Sequence, residues 1–247
     1  MDADGSGNTR FTRLAAVGGL AVRRTSTTGV HLIGTAAGPI GDDVIDIAIS
    51  VGCGAQLTLR GVAATICLPG ARRQPSQLTV TIMLHSNASL ECALPPLIVC
   101  EGSWISSTTE VVAEPSSVLA LDEQVSLGRS GEVGGAWRNR TVVDIQGRAA
   151  LRQTQTSESV LDALSRISGE RLAAGAIVSH LELGPRDDEG KTTVSGGAMS
   201  LRLSAAGRLS TSIGRDLLHA HRDLASLRMA EVHDRRLHTE TLQADSQ

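Results

Sequence analysis

Asp42 and Asp43 stand side by side after Gly38-Pro39-Ile40-Gly41 and ahead of an apolar run that starts at Val44. Adjacent carboxylates can offer oxygen ligands to a cation. Divalent ions take about six or more such ligands, so the pair alone defines no site. A solvated turn before a strand is the stronger reading from the residues themselves. Seven glycines between Val30 and Gly70 raise a second possibility, a phosphate cradle. A Walker loop needs a lysine after its last glycine, and none follows Gly41. A dinucleotide fingerprint must open a helix, whereas Gly52-Cys53-Gly54 leads into the alternating run Gln56–Arg60. These glycines read as turn residues.

The remaining reactive residue types are scattered. His219 and His221 are two apart on a predicted helix, which turns them about 200° from each other and away from any shared ion. His233 and His238, five apart, fail the same test. His31, His85 and His180 fall on predicted strands far apart in sequence. Gly128-Arg129-Ser130-Gly131-Glu132 lacks the spacing of a nucleophile elbow. The four cysteines, at 53, 67, 92 and 100, contain no C-x-x-C pair and lie in apolar runs, so they read as small buried hydrophobes of a reducing compartment. Glu123 is the unusual acid. Leu119, Leu121, Val125 and Leu127 alternate toward one face, and Glu123 occupies a slot on that face. A buried carboxylate must be paired, hydrated or neutral; Arg129 is the candidate partner. Nothing here points to catalysis, and the chain reads as a non-enzyme.

Strands must position these residues. The 247-residue chain has one Phe, two Trp and no Tyr, so its core is built of small aliphatics. Ile45, Ile47, Ile49 and Val51 alternate with polar or small residues, as do Leu78, Val80, Ile82 and Leu84. Three turns share one frame: Val51–Leu57 around Gly54, Leu84–Leu90 around Asn87, and Val112–Val118 around Pro115. Recurrence of a strand pair at this period predicts stacked layers, as in a solenoid. The fold class is therefore mainly β, an irregular β-solenoid-like stack with C-terminal α-helices. Residues 1–9 read as a disordered tail, 10–212 as the β-rich domain with a Ser-capped helix near 158–167, 185–191 as a polar loop, and 213–247 as the helical segment. A net charge of −3 and the scarcity of aromatic rings argue against nucleic-acid binding. No signal peptide or membrane span is read, which predicts a cytoplasmic protein.

The order of motifs carries a resemblance. "LAVRRTSTTGVHLIGTAAGPIGDD", "VGCGAQLTLRGVAATICLPG", "PPLIVCEGS" and "SVLALDEQVSLGRSGE" follow one another as they do in the urease accessory protein UreD (UreH) family. The match is good over about 20–155 and loose over 170–228. The resemblance implies a scaffold without catalytic activity. It would bind UreF, the GTPase UreG through UreF, and the urease apoprotein, and would help nickel pass to the urease active site through an internal path. It also implies no tightly bound cofactor or metal, only nickel in transit. Asp43 aligns with the aspartate of the family's Gly-Gly-Asp loop, where Gly41 is kept and Asp42 replaces the second glycine. Thr65 aligns with a small hydroxyl residue, and Glu123 with the acid ahead of Gly128-Arg129, with Glu132 following. Asp43, Asp42, Thr65 and Glu123 are thus the candidates for a polar path. Ile66 and Gln153 stand where the family commonly has charged residues. The alternative is a β-solenoid-like module that binds another partner.

Overall fold

The computed structural model describes residues 2–3, 9–71, 74–169, 175–184, 192–203 and 207–229. A short pair, β1 (Asp2–Ala3) with β2 (Thr9–Arg10), precedes an antiparallel hairpin of β3 (Leu20–Arg24) and β4 (Gly29–Gly34). The chain then winds in coils. β5 (Val44–Val51), β6 (Gln56–Gly61) and β7 (Thr65–Cys67) make the first coil; β8 (Ser76–Leu84), β9 (Ser89–Ala93) and β10 (Leu97–Val99) make the second. The third holds β11 (Trp104–Ala113) and β12 (Val118–Leu127). Corresponding strands pair in parallel, β5 with β8 with β11, β6 with β9 with β12, and β7 with β10. The chain is mainly β and solenoid-like, as the repeat predicts.

Alternation fixes the inward faces. Ile49, Ile82, Val111 and Val143 form one buried row across neighbouring strands. Leu57, Leu90 and Leu119 form another on the facing sheet. Burying each such side chain contributes about 1.5–3 kcal/mol before entropy is counted. The turns stack as well. Each closes with the same backbone bond: Ala55 N–H to Gly52 at 3.1 Å, Ala88 to His85 at 3.0 Å, Ser117 to Glu114 at 3.0 Å. Gly54 and Asn87 take positive φ at matching positions. The third turn departs from the sequence frame by one residue. Ala113, not Val112, pairs with Leu84, so Ser116 rather than Pro115 aligns with Asn87. Proline sets the preceding turn position instead, where its fixed φ suits the bend. Cys53 and His85 lie in these turns, not in strands, and Cys53 is exposed.

After the coils, β13 (Ala136–Ile145) extends the β5–β8–β11 sheet and β14 (Arg148–Thr156) ends it. Helix α1 (Ser157–Ser168) follows. Its N-cap is Thr156, one residue before the serine expected from sequence, and Thr156 and Ser159 cap each other reciprocally. Val160 and Leu164 pack into a second apolar cluster with Trp137, Leu127 and Ile177. β15 (Gly175–Leu183), β16 (Thr193–Ser195), β17 (Ala198–Leu203) and β18 (Gly207–Gly214) continue the other sheet antiparallel, from β12 through β15, β18 and β17 to β16. Residues 217–229 form a C-terminal helix, α2, whose Ala220 and Leu224 pack on Val178 of β15. The 185–191 loop, the metal test on His233 and His238, positions 1 and 4–8 of the expected tail and the expected helical segment beyond 229 lie outside the described residues. Among the described residues no helix is long and apolar enough to cross a membrane.

Candidate functional site

The two sheets do not close on each other everywhere. β12 pairs with β9 through Asp122 and with β10 from Val125 onward. Between these ladders Leu94-Pro95-Pro96 bridges β9 to β10, and two prolines offer no N–H to the neighbouring strand. In the coil below, Val62-Ala63-Ala64 bridges β6 to β7 with two methyl side chains that fill little space. Glu123 and Gln124 sit at the gap these bridges leave. A cavity of about 790 Å³ occupies it and reaches between the sheets. Its lining includes Ala63, Ala64, Pro95, Glu123, Gln124, Ser107, Asn139 and Trp137, and at the other end Val17–Leu20, Asp43 and Asp46.

Three of the four path candidates meet there. Asp43 and Thr65, at the start and end of the first coil, and Glu123, from the third, all line this cavity. Asp42 does not. It is exposed on the turn. Asp43 also caps its own turn. Its Oδ2 accepts the Ile40 N–H at 2.8 Å, and its carbonyl accepts the Gln77 N–H at 2.8 Å, which ties the loop to β8. Gly41 permits this loop by its positive φ and by its contact with Gly70. A Cβ built on Gly41 would lie 2.9 Å from Gly70 Cα. Thr65 opens β7, with its N–H on Pro96 O at 2.8 Å.

Glu123 does not pair with Arg129. It accepts a hydrogen bond from Thr109 Oγ1 at 2.6 Å, across the interior from β11. Burial pushes its carboxyl pKa up, and the Thr109 bond only partly opposes that. Arg129 turns instead to Glu132, three residues on, through Nε at 2.8 Å and through its backbone N–H at 3.0 Å. Those contacts hold the Glu132 carboxyl down at about 2. Gly128 enables this tight loop with φ near 92° and donates its N–H to Val99 O at 2.8 Å. The interior near Glu123 carries further polar groups that sequence reasoning missed. Ser107 Oγ donates to Asn139 Oδ1 at 2.9 Å, and Asn139 Nδ2 reaches Thr141 Oγ1 at 3.4 Å. Their signal was present as inward slots of β11 and β13 filled by Ser, Thr and Asn, which the leucine-rich alternation elsewhere obscured.

The hollow is lined largely by aliphatic side chains, among which stand the carboxylate, hydroxyl and amide groups of Asp43, Asp46, Thr65, Ser107, Glu123, Gln124 and Asn139, together with Arg129 and no soft ligand. Cys67 and Cys100 are raised by burial, and Cys92 is pushed up to about 12, first by burial and then by the charge of Glu123. All three stay thiols near neutral pH. Among the described residues, no group of three or more His, Cys, Asp or Glu side chains is placed to hold a metal ion. His219 and His221 diverge as helical geometry requires: His219 bonds Asp216 at 2.7 Å, and His221 bonds Gln124 at 3.1 Å.

A sequence model of the family described as UreD urease accessory protein matches residues 2–238. Urease accessory protein UreD of Parafrankia sp. is 36% identical over 149 residues, 59% of this chain and 50% of the relative. That of Frankia alni is 41% identical over 123 residues, 50% of this chain and 41% of the relative. Urease accessory protein UreD 1 of Saccharopolyspora erythraea is 34% identical over 218 residues, 85% of this chain and 79% of the relative. The chain spans half or less of the length of the first two relatives it matches.

Proposed function

Because the chain belongs to the UreD urease accessory protein family, we propose that it is a non-catalytic scaffold of urease maturation whose interior cavity is part of the route by which nickel reaches the urease active site. Nickel is cargo in this reading. The scaffold engages the urease apoprotein and UreF, with UreG joining through UreF. One observation carries the proposal: Asp43, Thr65 and Glu123, far apart in sequence, converge on one cavity. A transit path needs ligands that bind weakly and in succession, because a tight site would hold the ion. Hydroxyl, amide and carboxylate oxygens meet that need, whereas thiolates would trap a borderline cation. Glu123 supports the role in a specific way. Its raised pKa records a carboxylate with too few partners. A passing cation is the partner that would let it ionise.

The test is co-expression of urease with Glu123→Gln, which keeps the shape and the Thr109 bond but removes the charge. We expect nickel per urease active site, measured by mass spectrometry, and urease activity to fall together by roughly tenfold. Capture of UreF and the apoprotein should be unchanged. Full nickel loading with this variant overturns the transit role of the cavity.

A further inference from the structure

Glu123 lies where its own strand is least supported. β12 pairs with β15 from Leu119 to Leu127, but on its other side the β9 ladder ends at Asp122 and the β10 ladder begins at Val125. Among the described residues, Glu123 and Gln124 therefore have a strand neighbour on the β15 side alone. A second tie comes from the outer side of the sheet. Gln124 is directly opposite Val178 in register, so its side chain leaves the sheet on the side where Val178 meets Ala220 and Leu224 of α2. There its Oε1 lies 3.1 Å from His221 Nε2. Gln124 also lines the cavity, so it joins the cavity wall to a helix 97 positions along the chain. The helix is placed to hold this tie. Asp216 Oδ1 accepts the His219 N–H at 2.9 Å and fixes the first turn. Ala220, Leu224 and Leu227 are buried, so α2 cannot rotate without exposing them, and His221 stays at the helix edge. Asp122, on the same outer side as Gln124, needs no such tie. Ala93 faces it in the β9 ladder, and its carbonyl accepts the Leu94 N–H at 3.2 Å.

We propose that His221 is a positioning residue: by holding Gln124 from α2, it fixes the half-supported stretch of β12 and with it the Glu123 carboxyl at the cavity wall. This role rests on the transit reading of the cavity. The chemistry suits it. The imidazole Nε2–H donates to the amide oxygen of Gln124, and a short, stiff ring on a packed helix holds its partner in one place. A lysine or arginine, with more rotatable bonds, would follow a moving strand instead. A group that must meet an ion in passing gains from being held in advance, because a small misplacement removes the encounter.

The experiment co-expresses urease with full-length variants and measures nickel per urease active site. His221→Ala should lower it by roughly three- to tenfold. Alanine favours helix more than histidine does, so α2 itself is not weakened. His221→Gln, whose amide N–H can also reach Gln124, should restore most of the loading. In a Glu123→Gln background His221→Ala should add no further loss, because the group it positions is gone, whereas a helix that had merely come loose would add the same loss again. Amide exchange in the β12 peptide that spans Glu123 should rise roughly fivefold in the His221→Ala chain, as for one lost hydrogen bond, and stay at wild-type rates in β5 and β8. Wild-type loading or wild-type exchange with His221→Ala, while Glu123→Gln is defective, overturns the role of His221 and leaves the transit reading standing. So does a further loss in the Glu123→Gln background, or a failure of His221→Gln to restore loading. Full loading with Glu123→Gln alone overturns the transit reading and the role of His221 together.

Discussion

Asp122 and Glu123 are neighbours on β12 that point to opposite sides of one sheet, and they meet opposite fates. On the outer side, Asp122 accepts from His180 Nδ1 at 2.5 Å, and His180 Nε2 lies 3.5 Å from Glu182 on the same strand. Helix α2 covers this side through Ala220 and Leu224. On the inner side, Glu123 finds one hydroxyl and a hollow. Burial alone would lower the His180 pKa, but the Asp122 and Glu182 bonds outweigh it and the net shift is upward, with Arg228 on α2 opposing. Glu123 shifts upward for the contrary reason, because burial outweighs its single bond. A carboxylate whose partners are built into the fold is a structural member. One that the fold leaves short of partners beside a cavity is available to something that passes.

The comparison breaks first on function. Glu123→Gln should cut nickel-dependent urease activation roughly tenfold, whereas Asp122→Asn should leave it within about twofold. Equal losses from both variants, assayed by activity of co-expressed urease, would erase the distinction. Stability should order them the other way. His180→Ala removes the partner built against Asp122 on the side that α2 covers and should cost about 1–2 kcal/mol in chemical denaturation, softened by the partial exposure of Asp122. Glu123→Gln should instead be neutral or stabilising by about 1 kcal/mol at neutral pH.

The pH dependence sharpens the point. Both groups have folded pKa values above their unfolded ones. The contribution of His180 is fully present below about 6.5 and is lost as pH rises through its raised folded value. That of neutral Glu123 is present below about 4.5 and is lost on the way up through its own raised value. Denaturation midpoints of His180→Ala should therefore approach wild type as pH rises above 6.5, while those of Glu123→Gln should pull ahead of wild type above 4.5. Parallel curves for either variant would remove its group from the account. The smallest effect tests the loop. Asp43→Asn keeps an oxygen for the Ile40 N–H, so it should preserve stability to within about 0.5 kcal/mol while lowering activation. Asp42→Asn should change neither, since Asp42 does not line the cavity.

Much of the fold was legible in the amino-acid order. Period-two alternation set which residues of β5, β8 and β12 face inward, because a strand turns its side chains by 180° per residue. The repeated turn announced the coils, and Val160, Leu161 and Leu164 marked helix α1. Glu123 was visible as an acid in an apolar slot. What alternation could not supply was its partner. Arg129 is near in sequence, but Gly128 and Gly131 bend the chain so that Arg129 meets Glu132, and Thr109 arrives from another sheet. Nor could local pattern show that Asp43 and Thr65 share a hollow with Glu123, or that Asp122 is capped by His180, 58 positions away. Those juxtapositions depend on coil register and on a proline bridge that interrupts one ladder. Register is decided by how whole layers stack, so it belongs to the tertiary structure and not to any single stretch of the chain.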